Sequence, residues 1–271
     1  MKKLLALLLA VAMLFAFVGC GATDENKNDV AQEAELAIAC ELTSEEYGIG
    51  FRKGSDLTET VNGYIKELKE AGTLDELAKK YELTIADLAA AETEEATLKD
   101  VDYVKANGKM IIGITDYEPM NYKDEKDQWT GFDTEFALAV CEKLGVDAEF
   151  VEIDWDNKFV ALESKAIDCI WNGMTISEDV IKNTSCSVAY VKNAQVVVMS
   201  KENAEKYTTA ESMKDLSFAV ESGSAGASAA EENAYADVVE VGTQTDALLE
   251  VKSGSCDACI IDLTMANAMV K

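Results

Sequence analysis

The sequence predicts an α/β fold in two lobes, and three observations carry that reading. Residues Met110 to Leu144 read as a buried strand, a polar turn and an amphipathic helix; strands and helices go on alternating as far as Asn183; and a second alternating set begins after Tyr190. In the first unit Met110, Ile111, Ile112 and Ile114 form a short apolar run. Tyr117 and Pro119, the chain's only proline, break it, and Phe132, Phe136, Val140 and Leu144 then recur at helical spacing. Small ligands bind beyond the strand ends of such open sheets, so this βα opening is a candidate ligand site.

The remaining elements follow in order. A strand-like run, Leu36 to Cys40, and the segment Tyr47 to Lys53 lead to a helix starting near Ser55-Asp56, with Leu57, Val61, Tyr64, Ile65 and Leu68 on one face. Gly72-Thr73 ends it, a second helix carries Leu74, Leu77, Ala78 and Tyr81, and the Ala/Glu-rich stretch Ile85 to Leu98 reads as a helical connector. From Met110 the expected order is strand to Thr115, helix Asp133 to Leu144, strand Ala148 to Ile153, helix Asn157 to Ser164, strand Cys169 to Asn172 and a short helix near Ser177 to Asn183. This βαβαβ order implies a parallel sheet with right-handed crossovers. The second set comprises strands Val196 to Met199, Phe218 to Val220, Val238 to Val241 and Cys259 to Leu263, with helices from Ala227 and from Asp246 to Lys252. Gly223 and Gly226 lie where a strand meets a helix, yet neither the GxGxxG spacing nor a GK[ST] ending is present.

Composition narrows the function. The chain has 271 residues, 48% of them hydrophobic, enough for a sizeable core. A net charge of −27 without a basic cluster argues against nucleic acid, whose phosphates need a positive face. At the N-terminus Lys2-Lys3 precede an apolar run from Leu4 to Val18, short for a membrane span and suited to a signal-peptide core. Residues 1–19 are read as that signal. Cys20, followed at once by a polar stretch, resembles the acylated cysteine of a bacterial lipoprotein, with 20–35 as a flexible tether. Of the other cysteines, Cys256 and Cys259 form a CxxC, but the chain has no histidine and no second CxxC. Free, mostly buried thiols, Cys141 and Cys259 especially, are expected over a metal site.

Six segments together resemble the amino-acid-type substrate-binding proteins of ABC importers (solute-binding family 3): IIGITDYEPMNY, GFDTEFALAVCEKLG, ALESKAIDCIWNGMTIS, SVAYVKNAQVVV, FAVESGSAG and DACIIDLTMANA. The resemblance implies the two-lobed type II periplasmic-binding-protein fold, each lobe a mostly parallel sheet flanked by helices. One motif is displaced. Tyr47 to Leu83 is similar to the C-terminal end of such proteins but here precedes everything else, which suggests a circularly permuted order. The expected domains are a second hinge strand at 36–44, lobe 1 at 45–189 with a permutation linker at 84–107, and lobe 2 at 190–271. Residues Leu36 to Leu42 are expected to pair with the C-terminus at the hinge. Surface termini that lie near one another make such a permutation physically reasonable.

The resemblance also implies the ligand site. Tyr117 matches an aromatic wall; Asn172, Gly173 and Thr175 match a ligand-lining segment; Asp262, at a strand end, matches the acid that receives an ammonium group. The family's carboxylate-binding arginine is replaced by Val180, after Asp179. The hydroxyl usual in the lobe 2 loop is replaced by Ala225, with Ser224 and Ser222 nearby. A charge-assisted hydrogen bond contributes about 1.5–3 kcal/mol, so loss of a bidentate arginine disfavours a carboxylate ligand. Trp171 offers an indole face, and Asp116 and Glu118 add charge. The expected ligand is therefore a polar solute carrying an amine, or an amino acid held by backbone amides and Lys182. No metal or cofactor is implied and no covalent chemistry is required. The implied role is an extracytoplasmic, lipid-anchored, monomeric binding protein that closes on its ligand and docks on ABC permease subunits. The rival readings are a dehydratase-like enzyme on the same fold and a surface sensor without a transport role.

Overall fold

The structure is a computed structural model that describes residues 35–88 and 95–270. The expected signal peptide, nearly all of the tether, and Cys20 lie outside the described residues. In chain order the elements are β1 (Leu36–Phe51), α1 (Leu57–Glu70), α2 (Thr73–Lys80), α3 (Asp100–Asn107), β2 (Lys109–Ile114), β3 (Tyr122–Lys123), β4 (Trp129–Thr130), α4 (Phe132–Leu144), β5 (Asp147–Glu152), α5 (Lys158–Glu163), β6 (Cys169–Thr175), α6 (Glu178–Asn183) and β7 (Ser185–Cys186). They continue with β8 (Val191–Ser200), α7 (Lys201–Ala204), β9 (Ser217–Glu221), α8 (Ala225–Glu232), β10 (Asp237–Val241), α9 (Gln244–Ser253), β11 (Ala258–Asp262) and α10 (Leu263–Met269).

Local chemistry accounts for the best-defined of these. Helix α4 begins after Gly131, whose φ is +116° and where a Cβ would meet the Met120 carbonyl oxygen at 2.3 Å, so no other residue fits. It buries Phe132, Phe136, Val140 and Leu144, as their spacing requires, and stops at left-handed Gly145. Strand β8 carries Val196, Val197, Val198 and Met199, all buried, because helices or loops cover both faces of the sheet there.

The two expected sheets are present as the two halves of one continuous hydrogen-bonded array. The strand order is β10-β9-β11-β8-β1-β6-β2-β5, with β7 also paired to β1. In one half β9 pairs in parallel with β10 and β11, and in the other β2 pairs in parallel with β5 and β6. Strand β1 joins them. It runs antiparallel to β8 from Leu36 opposite Ser200 to Tyr47 opposite Val191, then antiparallel to β6 from Tyr47 opposite Thr175 to Phe51 opposite Cys169. Register shifts at Ile38/Cys40 and Glu41/Thr43 bend it on the way.

Three expectations are corrected here. The run Leu36 to Cys40 and the segment Tyr47 to Lys53, as far as Phe51, belong to a single strand, because the polar residues between them keep their backbone pairing to β8. Leu36 to Leu42 therefore pairs with β8 and not with the C-terminus; β11 occupies the other edge of β8. The described parts of Ile85 to Leu98 are not helical: Ile85 bridges to Val191 and Leu98 to Ser55, and the nearby helix is α3, which begins at Asp100.

The segment before residue 84 is held on the β2–β6 half. Helices α1 and α2 pack against α4, and Arg52, the chain's one arginine, is buried with Nε 3.0 Å from Asp100 Oδ2 and Nη2 3.0 Å from Asp168 Oδ1. Its Nη1 also donates to the Ile167 carbonyl at 2.8 Å. The six described cysteines are free thiols; burial raises the pKa of Cys141 to about 12 and pushes Cys169 and Cys259 well up.

Candidate solute-binding site

Where β1 passes from one half of the sheet to the other, a cavity of about 220 Å³ lies between the halves. Asn172 to Thr175 of β6 and Val180 of α6 line one side; Glu221, Ser224 and Asp262, at or just beyond the C-terminal ends of β9 and β11, line the other. Glu45 enters from the middle of β1, and Trp155 and Lys158 come from the turn that starts α5. Strand ends supply the polar groups because their side chains and loops are no longer committed to the core.

Most of these groups are already satisfied by one another. Glu45 Oε1 accepts from Thr175 Oγ1 at 2.8 Å, Asn193 Nδ2 at 2.6 Å and Gln195 Nε2 at 2.8 Å. Asp262 Oδ1 accepts from the same two amides, and its Oδ2 from Gln244. Asn172 turns inward, accepting from Thr115 N and donating to Thr115 Oγ1, while Gly173 N donates to Asp133 Oδ2 at 2.6 Å. Ser224 caps α8 by accepting from Ala227 N. The exception is Glu221, whose Oε1 is buried without a hydrogen-bond partner although the residue is only 3% exposed.

The charge balance is strongly acidic. Five acids, Glu45, Asp179, Glu221, Glu232 and Asp262, line the cavity against one cation, Lys158. Burial pushes the Glu221 carboxyl up to about 8, with Asp262 adding to the rise and Lys158 opposing it. Burial raises Asp262 too, and Glu45 raises it further. Burial pulls the Lys158 ammonium below its ordinary range, against the pull of Glu221 and Asp179. Two of its N–H groups are engaged, donating to the Trp155 carbonyl at 3.1 Å and, across the cavity, to the Gly223 carbonyl at 2.8 Å.

The family model for bacterial extracellular solute-binding proteins, family 3, matches residues 110–255. The chain belongs to that family. Among relatives of this solute-binding protein, L-cystine-binding protein TcyJ of Escherichia coli (strain K12) is 28% identical over 172 residues, covering 62% of this chain and 64% of TcyJ. Arginine-binding extracellular protein ArtP of Bacillus subtilis (strain 168) is 32% identical over 171 residues, 60% of this chain and 64% of ArtP. The chain thus spans less than two thirds of the length of these relatives. A mutant of ArgBP from T. maritima superposes with a TM-score of 0.61 at 32% identity, covering 64% of this chain and 76% of ArgBP. The ancestral amino acid-binding protein AncCDT-1, described as a precursor of cyclohexadienyl dehydratase, does so with 0.60 at 32% identity, over 63% and 77%. The α/β architecture with a mostly parallel sheet in each half is accordingly the type II periplasmic-binding-protein fold.

For this family 3 protein, the structure gathers Asn172, Gly173, Thr175, Ser224 and Asp262 around one cavity, with Val180 and Ala225 also on its walls. It does not bring Asp116, Tyr117 or Trp171 there. Tyr117 is buried, its hydroxyl 2.5 Å from both Tyr47 and Thr264. Trp171 is fully buried and packs edge-on against Phe136 with centroids 5.1 Å apart, so it has no face to stack on a ligand. Its indole N–H lies near enough to help hold down the pKa of Asp133, which burial raises to about 7. Asp116 is exposed and outside the cavity, as is Lys182; the cavity's lysine is Lys158.

Glu45, Lys158, Glu221 and Gln244 escaped the sequence reading. Two of them carried a signal. Lys158 stands four residues before Leu162 on the buried face of its helix, where a lysine needs a reason, and Glu221 immediately follows the expected strand Phe218 to Val220.

Proposed function

We propose that this chain is the extracytoplasmic substrate-binding lipoprotein of an ABC importer, capturing an amino acid or a related amine-bearing polar solute. The observation that carries the reading is the acid-lined cavity between the halves, with Asp262 at a strand end and one lysine against five acids. A positively charged nitrogen is the group that such a cavity favours. The arginine expected at Val180 is absent and the chain's one arginine is held by Asp100 and Asp168, so a carboxylate finds no guanidinium there.

In this reading residues 1–19 direct export, Cys20 is acylated and 20–35 tether the domain. Lobes 45–189 and 190–271 close on the ligand, and the closed form docks on the permease. The permuted order is part of the proposal: packing of α1 and α2 on α4, and of β1 on β6, supports placing residues 47–83 where a C-terminal segment would return to lobe 1, with 84–107 as linker. Membrane attachment in this reading comes from the lipid on Cys20; no helix among the described residues is long and apolar enough to cross a bilayer.

Isothermal titration of the full chain with amino acids, amines and small peptides tests the reading. Micromolar binding of an amine-bearing solute, with a decrease in radius of gyration, is expected. Absence of heat and of compaction with every solute would refute it. One observation favours a dehydratase instead: Glu221 lines the cavity with a buried, unpartnered Oε1, and a carboxyl that burial keeps protonated is equipped to donate a proton. Turnover of a prephenate-like substrate would establish that alternative.

A further inference from the structure

We infer that Glu221 holds a second cationic nitrogen, so that the solute is a short aliphatic diamine without a carboxylate. The inference deepens the proposed function and rests on it. Asp262 and Glu45 form one anionic station, already ordered by the amides of Asn193 and Gln195. Glu221 is a separate station on the neighbouring strand β9, near enough to Asp262 for the charge of Asp262 to raise the Glu221 carboxyl.

Its Oε1 is what calls for a ligand. A buried polar atom left without a partner costs about 1–3 kcal/mol, more when charged, and proteins keep such groups where something else completes them. Lys158 does not complete it, because its ammonium is turned to the carbonyls of Trp155 and Gly223. An N–H donor brought by the ligand does, and an ammonium also supplies the opposite charge that lets the carboxyl ionise despite burial. A proton then leaves Glu221 as the ligand binds.

A basic amino acid carries two such nitrogens, but its carboxylate would sit among Glu45, Glu221 and Asp262 with Val180 opposite. Repulsion from these acids disfavours it. A diamine has no such group and needs little room, in keeping with a cavity of about 220 Å³. Asp179 and Glu232 at the exposed rim extend the attraction for a dication into solvent.

Titration calorimetry of the full chain with putrescine, ornithine and butylamine tests this, because ornithine adds a carboxylate to putrescine and butylamine removes one nitrogen. Putrescine is expected to bind at least ~10-fold more tightly than either, and in Glu221→Gln its preference over butylamine should collapse to within about threefold. Repeating the titration in buffers of different ionisation heat should show net proton release with wild type and less with the variant. Equal binding of butylamine and putrescine to wild type overturns the second station even if Glu221→Gln fails to fold. Tighter binding of ornithine overturns the exclusion of carboxylates while leaving the proposed function standing. Binding of none of the three alongside a neutral amino acid refutes this inference alone; binding of no solute at all refutes both.

Discussion

Glu45 and Asp262 share their donors: the side-chain amides of Asn193 and Gln195 each reach Glu45 Oε1 and Asp262 Oδ1. Glu45 rides on the strand that crosses between halves and Asp262 ends a strand of one of them. Two carboxylates that would otherwise repel are thus held at the junction, and the energetic cost of that arrangement is recoverable when a cation arrives.

Stability should fall as pH rises across the neutral range. The folded chain keeps a proton on Glu221 up to about 8, whereas the unfolded chain releases it near the ordinary carboxylate value of about 4.3. Between those values the native state binds more protons, so unfolding becomes easier with each step upward in pH. Asp133, raised to about 7, acts in the same direction. Thermal melts at pH 5, 6, 7 and 8 should show a declining midpoint, with a shallower decline in Glu221→Gln.

Gly223→Ala should loosen the contact between halves. Gly223 has a φ of +66°, and a Cβ there would sit 2.8 Å from Asp156 Oδ1 and 2.9 Å from Asp156 Cα. Left-handed backbone costs a non-glycine residue about 1–2 kcal/mol, and the backbone of residue 156 cannot simply rotate away. Urea denaturation should register a loss of that order. Scattering should register a larger radius of gyration, as the Lys158 bond to the Gly223 carbonyl is drawn apart.

Arg52→Met should be among the most damaging single changes. It strands Asp100 and Asp168, 3% and 2% exposed, without their common partner. Removing one member of a buried ion pair costs about 3–5 kcal/mol. A fall of that size in unfolding free energy is expected. A loss below about 1 kcal/mol would mean that the segment around residue 52 is not anchored to α3 and β6 as described.

At least three of the seven cysteines should resist a thiol reagent in the native state. Cys141, Cys169 and Cys259 are buried, and burial pushes their thiols up so that little thiolate forms at neutral pH. Counting of reacted thiols before and after addition of denaturant checks this.

Much of the fold was legible in the chain because local chemistry and tertiary context agree there. The spacing of Phe132, Phe136, Val140 and Leu144 with glycines at both ends specifies α4 whatever surrounds it. The apolar runs of β2, β6, β8 and β11 read as buried strands, and the family resemblance pointed to Asn172 and Asp262. Tertiary structure decided the rest. Nothing in the polar run Thr43 to Glu46 says strand; pairing with β8 makes it one and carries Glu45 into the cavity. Trp171 and Tyr117 carry chemistry that suits a ligand, yet Phe136, Tyr47 and Thr264 enclose them. Glu221 gains its unusual proton affinity from burial beside Asp262, a property of their three-dimensional neighbourhood. Periodicity reports which face of an element is apolar; which distant charges meet depends on chain crossings that no local pattern encodes.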